Sequence, residues 1–341
     1  MIPNEPLESA VVERAHGAGG RATGRLIRDL FLKHFGNPEL ARLNDGAIIA
    51  LSGDLAFSTD AFVVEPLEFP GGNIGTLAVC GTVNDVAMCG ALPRFLSAAF
   101  ILEEGLPLSL LERLIASMAA ESRRAGVAIV TGDTKVVPRG RGDGVFITTS
   151  GVGIRLPGVE VSGDRARPGD RILVSGPVGD HGATIMAVRA GINLTGSLRS
   201  DCASVAKLTL DLLTRFPPVH CLRDPTRGGL AAVLNEFAAA SGVGIWVDER
   251  AVPIAPDTRV ACELLGLDPL HLACEGRFVA VVPQELAVHA LALLRSLPGG
   301  EGAADIGEVR PDPSGQVVLI TTIGGSRLLD QPEGEPLPRI C

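Results

Sequence analysis

STDAFVVEPLEFPGGNIGTLAVCGTVNDVAMCGA, residues 58–91, decides the architecture. DAFVV (60–64) has the β-branched and aromatic content of a strand. A Pro-Gly-Gly turn follows, and NIGTLAVCGTVNDVAMCGA (73–91) then reads as a helix of small and apolar residues with Asn73 at its N-cap. A strand that passes through a tight turn into a small-residue helix is the core of an α/β unit. Two acidic residues, Asp60 and Asp85, stand out from this otherwise apolar stretch.

Working outward, residues 1–45 are rich in Gly and Arg around His16-Gly17-Ala18-Gly19-Gly20-Arg21, and GRLIRDLFLKHF (24–35) is an amphipathic helix. AIIALSG (47–53) is strand-like. Downstream, RFLSAAFILEE predicts a long strand, LSLLERLIASMAAESRRAG a helix closed by Gly126, and VAIVTGD and GVFITTSGVGI two more strands. These make a first unit over 46–155. RLPGVEVSGDRARPGD is turn-rich and reads as a junction. A second unit, 165–328, alternates RILVSG, DHGATIMAVRAG, SVAKLTLDLLTRF, VHCLRD, GGLAAVLNEFAAASG, GIWVDE, DTRVACELLG, RFVAVVP and ELAVHALALLRSL, then strands near 303–309 and 316–323. Neither unit keeps the strict βαβ repeat of a doubly wound sheet, so the fold class is α+β with two domains. The end, 329–341, holds three prolines in DQPEGEPLPRIC and is expected to be an extended, mobile tail without fixed packing.

Composition excludes several functions. Thirty-nine acids against 30 bases give a formal charge of −9, and no Lys/Arg run tracks a phosphate backbone, so a nucleic-acid partner is not expected. One Trp and no Tyr leave no stacking platform for single strands. No leader-like start and no membrane-length apolar run is seen, which points to a cytoplasmic protein without a membrane partner. The seven cysteines form no CxxC pair and no zinc spacing. Six read as small buried hydrophobes; the seventh, Cys341, is the last residue.

Five aspartates mark strand ends or the small-residue helix: Asp54, Asp60, Asp85, Asp133 and Asp224. Any one alone reads as a turn or cap residue; gathered, such carboxylates suit Mg²⁺ held against nucleotide phosphates. Three glycine segments, HGAGGR with Gly19 and Gly20, PGGNIG with Asn73, and PTRGGL with Arg227 and Gly228, can offer N–H groups to phosphate or simply turn the chain. None is a Walker A motif. Lys135 and Arg227 can neutralise a transferring phosphoryl group or serve as solvated surface charges. A thiol at the end of a Pro-rich arm is either an accident of a frayed terminus or a carrier. It is not a prenylation site, which needs Cys four residues from the end.

Taken in order, HGAGG, GD with STDAFVVEPLEFPGGNIGTLAVCGTVNDVAMCGA, GDTKVV, PGDRILVSGPVGDHG, RDPTRGGLAAVLNE, CEG, IGEV and the terminal PRIC resemble the HypE family of hydrogenase maturation proteins, from about residue 13 to 341. That family is similar in turn to aminoimidazole-ribotide synthetase, the PurM-like superfamily. The resemblance implies two α+β domains, a homodimer whose N-terminal domains close a β-barrel, and two ATP sites. The implied activity is ATP-dependent dehydration of a carbamoyl group on Cys341 to a thiocyanate, the source of the cyanide ligands of a NiFe-hydrogenase iron. The implied partners are the carbamoyltransferase HypF and the HypC–HypD complex, and the implied cofactors ATP and Mg²⁺.

Carried over residue by residue, the resemblance puts Asp54, Asp60, Asp85 and Asp224 at metal positions and Cys341, Lys135 and Glu275 at catalytic ones. It puts Gly19, Gly20, Asn73, Asp133, Lys135, Arg227 and Gly228 at ATP or phosphate positions. Glu275, in Cys274-Glu275-Gly276-Arg277, is the candidate base. Family members often read GGDIG where this chain reads GGNIG, so Asn73 lacks the carboxylate a metal would want. The alternatives are another PurM-like synthetase, such as a selenophosphate synthetase, and a non-catalytic maturation adaptor. ERAHGAGGRATGR lacks the reactive Cys and nearby Lys expected of the former, and ATP consumption separates out the latter. Residues 331–341 can span at most roughly 36 Å, enough for the tail to cross a small domain.

Overall fold

The computed structural model describes residues 10–192, 197–331 and 339–341. Its N-terminal arm is one helical run in three pieces: α1 (Arg21–Leu26), a π-helical stretch (Ile27–Leu32) and α2 (Lys33–Phe35). The arm's apolar face delivers Phe31 to Phe100, with ring centroids 4.9 Å apart. AIIALSG, expected as a strand, is irregular instead, with Ile48 86% exposed. It has the composition of a strand but no ladder to join, because the edge of the sheet is taken by the segment after it.

That edge is β1 (Leu55–Phe62), which turns Leu55, Phe57, Thr59 and Ala61 outward and Ser58, Asp60 and Phe62 inward, the period of two that a half-covered strand requires. A small hairpin, β2 (Glu68–Phe69) with β3 (Gly72–Asn73), leads into α3 (Ile74–Met88). Asn73 caps this helix by accepting from Thr76 N–H at 3.0 Å. Fourteen of its residues are buried, which explains why the sequence shows no polar face. β4 (Ala91–Glu103), α4 (Leu108–Ala125), β5 (Ala128–Val137) and β6 (Val145–Arg155) complete the unit. As expected, α4 stops at Gly126 in the left-handed region, φ 70°. The sheet runs β1-β6-β4-β5; only β4 and β5 are parallel. α3 and α4 cover one face, and the other presents Phe57, 69% exposed, and Ile101, 43% exposed.

The second unit contains β7 (Arg171–Val174), α5 (Asp180–Arg189), α6 (Ala206–Arg215), β8 (Cys221–Arg223), α7 (Gly229–Ser241), β9 (Gly244–Asp248), α8 (Pro256–Leu265), β10 (Val279–Val282), α9 (Gln284–Ser296), β11 (Ala304–Arg310), β12 (Val317–Ile320) and β13 (Ser326–Leu328). Its sheet runs β13-β12-β9-β11-β7-β10-β8, with β9 and β12 parallel and every other pair antiparallel. β10 is VAVV, buried at all four positions, and lies inside the sheet between β7 and β8. One apolar cluster is continuous across both units, joining Leu77, Val83 and Leu114 to Leu208, Leu212 and Phe278. This is the α+β, two-domain arrangement expected from the sequence, with an apolar seam between the domains.

The expectation of an unpacked tail needs correcting at both ends. Leu329 is buried, and its N–H donates to Val317 C=O at 2.9 Å, so the sheet extends past residue 328. At the terminus, Ile340 is only 2% exposed. Val63 N–H donates to the main-chain oxygen of Cys341 at 3.1 Å and Glu65 N–H to Arg339 C=O at 3.3 Å. A proline-rich composition says nothing about a terminal peptide that finds backbone partners on a neighbouring strand end. The expected mobility of residues 332–338 lies outside the described residues.

Candidate active site at the domain seam

The inward face of β1 brings Asp60 over α3, and α3 brings Asp85 up beneath it. Ser58 Oγ donates to Asp85 Oδ2 at 2.7 Å, fixing that carboxylate. Asp224 enters from the other domain, one residue after β8, and Glu275 from the loop before β10. Glu275 is 3% exposed, and its backbone N–H donates to Asp201 Oδ1 at 3.0 Å. These acids feel one another. Burial, then Asp85, pushes Asp224 up to about 7. Burial, then Asp224 and Asp201, pushes Glu275 well above the carboxylate range. Asp60 and Asp85 are raised too, chiefly by burial, with Arg227 opposing at Asp60 and Ser58 at Asp85. The structure thus gathers Asp60, Asp85, Asp224, Glu275 and Arg227 from four separate segments of sequence.

Uncompensated negative charge at a seam is what a hard divalent cation relieves. Glu275 Oε1 and Asp201 Oδ2 are both buried without a hydrogen-bond partner among the described residues. No three acidic, His or Cys side chains among the described residues close a metal cage by themselves. A cation held here would need phosphate oxygens and water to complete its shell, as Mg²⁺ tolerates.

A second group lies on β5. Lys135 Nζ and Asp133 Oδ2 are 2.9 Å apart with both side chains more than 60% exposed. The Lys135 hydrogen bond holds Asp133 below its usual range. The HGAGG turn rests on this strand: a Cβ at Gly17 would meet Val136 N at 2.6 Å, so only glycine allows the approach. Gly19 N–H donates to Thr23 Oγ1 at 3.0 Å and Gly20 is the N-cap of α1. Between the arm and β5 is a cavity of about 240 Å³ with Ile27, Phe31, Leu40 and Ile129 in its walls and Gly132, Asp133 and Thr134 along one side. In register across the sheet, Asp60 aligns with Thr149, Ala98 and Gly132. Three strand spacings, roughly 14 Å, therefore separate the two groups.

Three expectations do not fit this geometry. Asp54 is bound to Arg155 and its side chain is 72% exposed. It lies six residues before Asp60 on extended chain, roughly 20 Å away, and cannot share a cation with the seam carboxylates. Asn73 spends its side chain on Thr76 N–H and Ser117 Oγ, at a helix start that is itself buried, so it serves as a cap in place of a phosphate ligand. Cys89 is exposed at the end of α3, unlike the other five internal cysteines, which are buried. Gly228 sits where expected, at the N-cap of α7 with φ 79°, beside Arg227.

The structure also adds residues that the sequence reading passed over. His181, read there as part of a helix start in GDHG, is fully buried, with Nε2 2.7 Å from Ile340 C=O. Arg339 Nη1 reaches Glu65 Oε2 and Asp143 Oδ2, both at 2.9 Å. The only sequence signal for His181 was a lone imidazole entering an otherwise small and apolar helix. Cys341 is part-exposed and packs against the shared core, on the strand end three residues beyond Asp60.

Comparison with known proteins defines the class first. The models of the AIR synthase related protein match the chain with their N-terminal domain over residues 43–155 and their C-terminal domain over 167–320. The chain is 52% identical over 336 residues to the carbamoyl dehydratase HypE of Azotobacter vinelandii, covering 98% of each. A crystal structure of a hydrogenase maturation protein HypE in complex with ATP superposes with a TM-score of 0.94 at 54% identity, over 96% of this chain and 99% of that one. A chain from a HypE–HypF complex matches with a TM-score of 0.80 at 46% identity, over 90% of this chain and 99% of that one. This chain belongs to the HypE family.

Proposed function

We propose that the protein removes the elements of water from a carbamoyl group carried on Cys341, using ATP, and so makes a thiocyanate. The observation that carries this reading is the docking of the chain's own terminus, Arg339–Cys341, on the strand end that leads from Asp60. A carbamoyl oxygen leaves poorly as hydroxide and well as phosphate. Transfer of the γ-phosphoryl group to that oxygen, loss of two protons from nitrogen and cleavage of the carbon–oxygen bond yield thiocyanate, ADP and phosphate.

In this scheme Glu275 takes a proton from nitrogen; burial among other acids raises its proton affinity, and positive charge bound in the seam would keep it ionised until then. Lys135 and Arg227 face the phosphate oxygens, and Gly20 and the start of α7 at Gly228 lend backbone N–H groups, the Gly19 N–H being held by Thr23 Oγ1. Asp133 exchanges Lys135 for the nucleotide. The apolar cavity beside β5 offers dry walls for the base. One or two of Asp60, Asp85 and Asp224 would hold Mg²⁺, which would supply charge neutralisation at the triphosphate.

The working unit is a homodimer. Among the described residues β1 and β5 are the outer strands of a four-stranded sheet whose uncovered face carries Phe57 and Ile101, a surface suited to burial against a second copy. HypF is the carbamoyl donor and the HypC–HypD complex the cyanide acceptor. Among the described residues no helix is long and apolar enough to cross a membrane. The test is the mass of the C-terminal peptide after incubation with HypF, carbamoyl phosphate and Mg-ATP. The carbamoylated peptide should lose one water only with hydrolysable ATP; full loss with a non-hydrolysable analogue overturns the mechanism.

A further inference from the structure

The terminal tripeptide docks in two different ways along its length. Arg339 and Cys341 offer their main-chain oxygens to Glu65 and Val63 N–H groups, the alternation of an antiparallel pair. The Arg339 side chain adds Nε to Val63 C=O at 3.1 Å and its ion pairs with Glu65 and Asp143. Arg189 donates to Glu65 C=O at 2.7 Å and to Arg339 C=O. By the same alternation the carbonyl of Ile340 points the other way, into the second domain. There its partner is His181 Nε2 at 2.7 Å.

The hydrogen-bond directions at His181 follow from bookkeeping. The imidazole is fully enclosed, and burial pushes its pKa down to about 4, so it is neutral and carries a single N–H. A carbonyl can only accept, so that proton is on Nε2 and Nδ1 accepts from Ser200 Oγ–H at 2.8 Å. Ser200 Oγ in turn accepts from Cys202 N–H at 3.0 Å. Phe69 presses on the ring edge-on, centroids 5.4 Å apart. The turn after Phe69 clasps the same segment, with Ser200 N–H donating to Pro70 C=O at 2.9 Å. Gly71 allows it: its φ is +98°, and a Cβ there would stand 2.5 Å from Ser200 C=O. The next residue, Asp201, accepts Glu275 N–H, and Ala203 N–H donates to Glu275 C=O at 3.2 Å.

We propose that His181 is the latch of the C-terminal tail: a positioning residue that holds Ile340 in the domain seam and, through Ser200, ties the seated tail to the segment that places Glu275. The proposal rests on the reading of Cys341 as carrier, and it gives a job to PGGNIG, whose Gly71 and Phe69 support the latch. A tail that must be loaded and unloaded by other proteins needs a seat that is specific without being permanent. One buried neutral hydrogen bond, flanked by part-exposed ion pairs, supplies that.

The experiment is amide hydrogen exchange at Val63 and Glu65 in the full chain, since both amides are covered by the seated tail. His181→Leu should raise exchange at both by about tenfold, the worth of one lost buried hydrogen bond. His181→Gln, whose amide can donate to Ile340 C=O, should bring exchange back to within about threefold of the parent. Ser200→Ala, a milder change, should shift the same two amides in the same direction. Thermal unfolding checks that each variant is folded, and single-turnover dehydration should slow in His181→Leu while ATP affinity stays unchanged. Parent-like protection in both His181→Leu and Ser200→Ala overturns the latch, as does loss of protection in His181→Gln equal to that in His181→Leu. If the parent chain itself does not dehydrate its carbamoylated tail, the carrier reading fails, while the exchange pattern still decides the latch.

Discussion

The seam beneath β1 and the rim of β5 both carry acidic side chains, yet their chemistry is opposite. In the seam, Asp60, Asp85, Asp224 and Glu275 are crowded out of water, and every one of them is pushed toward the protonated form. On the rim, Asp133 is already neutralised by Lys135 and sits in solvent. The seam is preorganised and strained by its own charge until a cation or proton arrives; the rim is relaxed and can exchange partners at little cost. One sheet carries both, three strands apart, which suits a reaction joining a wet nucleotide to a dry acyl group.

The strongest way to break this contrast is to remove the base. Glu275→Gln keeps shape and burial but loses proton acceptance, and single-turnover dehydration should fall by about 10²–10⁴-fold with nucleotide affinity retained. Dehydration at the parent rate would show that the seam's charge has no catalytic use. Lys135→Ala on the rim should cost about 10²-fold. Mixing these two variants sharpens the picture: if the partner's rim completes each seam, mixed dimers carry one intact site, and about a quarter of parental activity should return. No recovery on mixing would place both halves within one chain.

A smaller effect concerns pH. Asp224 has its pKa raised to about 7, so its contribution to stability is fully present below the unfolded value near 4 and is lost as pH rises through about 7. The metal-free protein should therefore lose thermal stability between about pH 4 and 7 more steeply than Asp224→Asn does, and Mg-ATP should flatten the difference. Equal slopes in parent and variant, measured by thermal melts across that range, would contradict the assignment. The smallest effects belong to residues that left the site. Asn73→Ala should cost about 1 kcal/mol of stability as a lost cap. Asp54→Asn should stay within about 0.5 kcal/mol. ATP turnover should survive both.

The elements between 58 and 126 were legible because local signals agreed: β-branched and aromatic content in DAFVV, Asn73 as a cap, Gly126 as a stop. The seam was half legible. Asp60, Asp85 and Asp224 announce themselves as charges among apolar neighbours, but nothing local says that Asp54, which also ends an apolar run, pairs instead with Arg155 about a hundred residues away. His181 was not legible, because a histidine in a small-residue helix gains its role only when the last residues of the chain return to it. Asn73 misled for a related reason: cap and phosphate ligand demand the same side chain, and burial alone tells them apart.

The most direct test of the central claim is a peptide map of the full chain after reaction with HypF, carbamoyl phosphate and Mg-ATP. The thiocyanate mass should appear on the terminal peptide that ends in Cys341, and it should vanish entirely in Cys341→Ala. The same mass on Cys80, Cys89, Cys202, Cys221, Cys262 or Cys274, or its persistence in Cys341→Ala, would contradict the account.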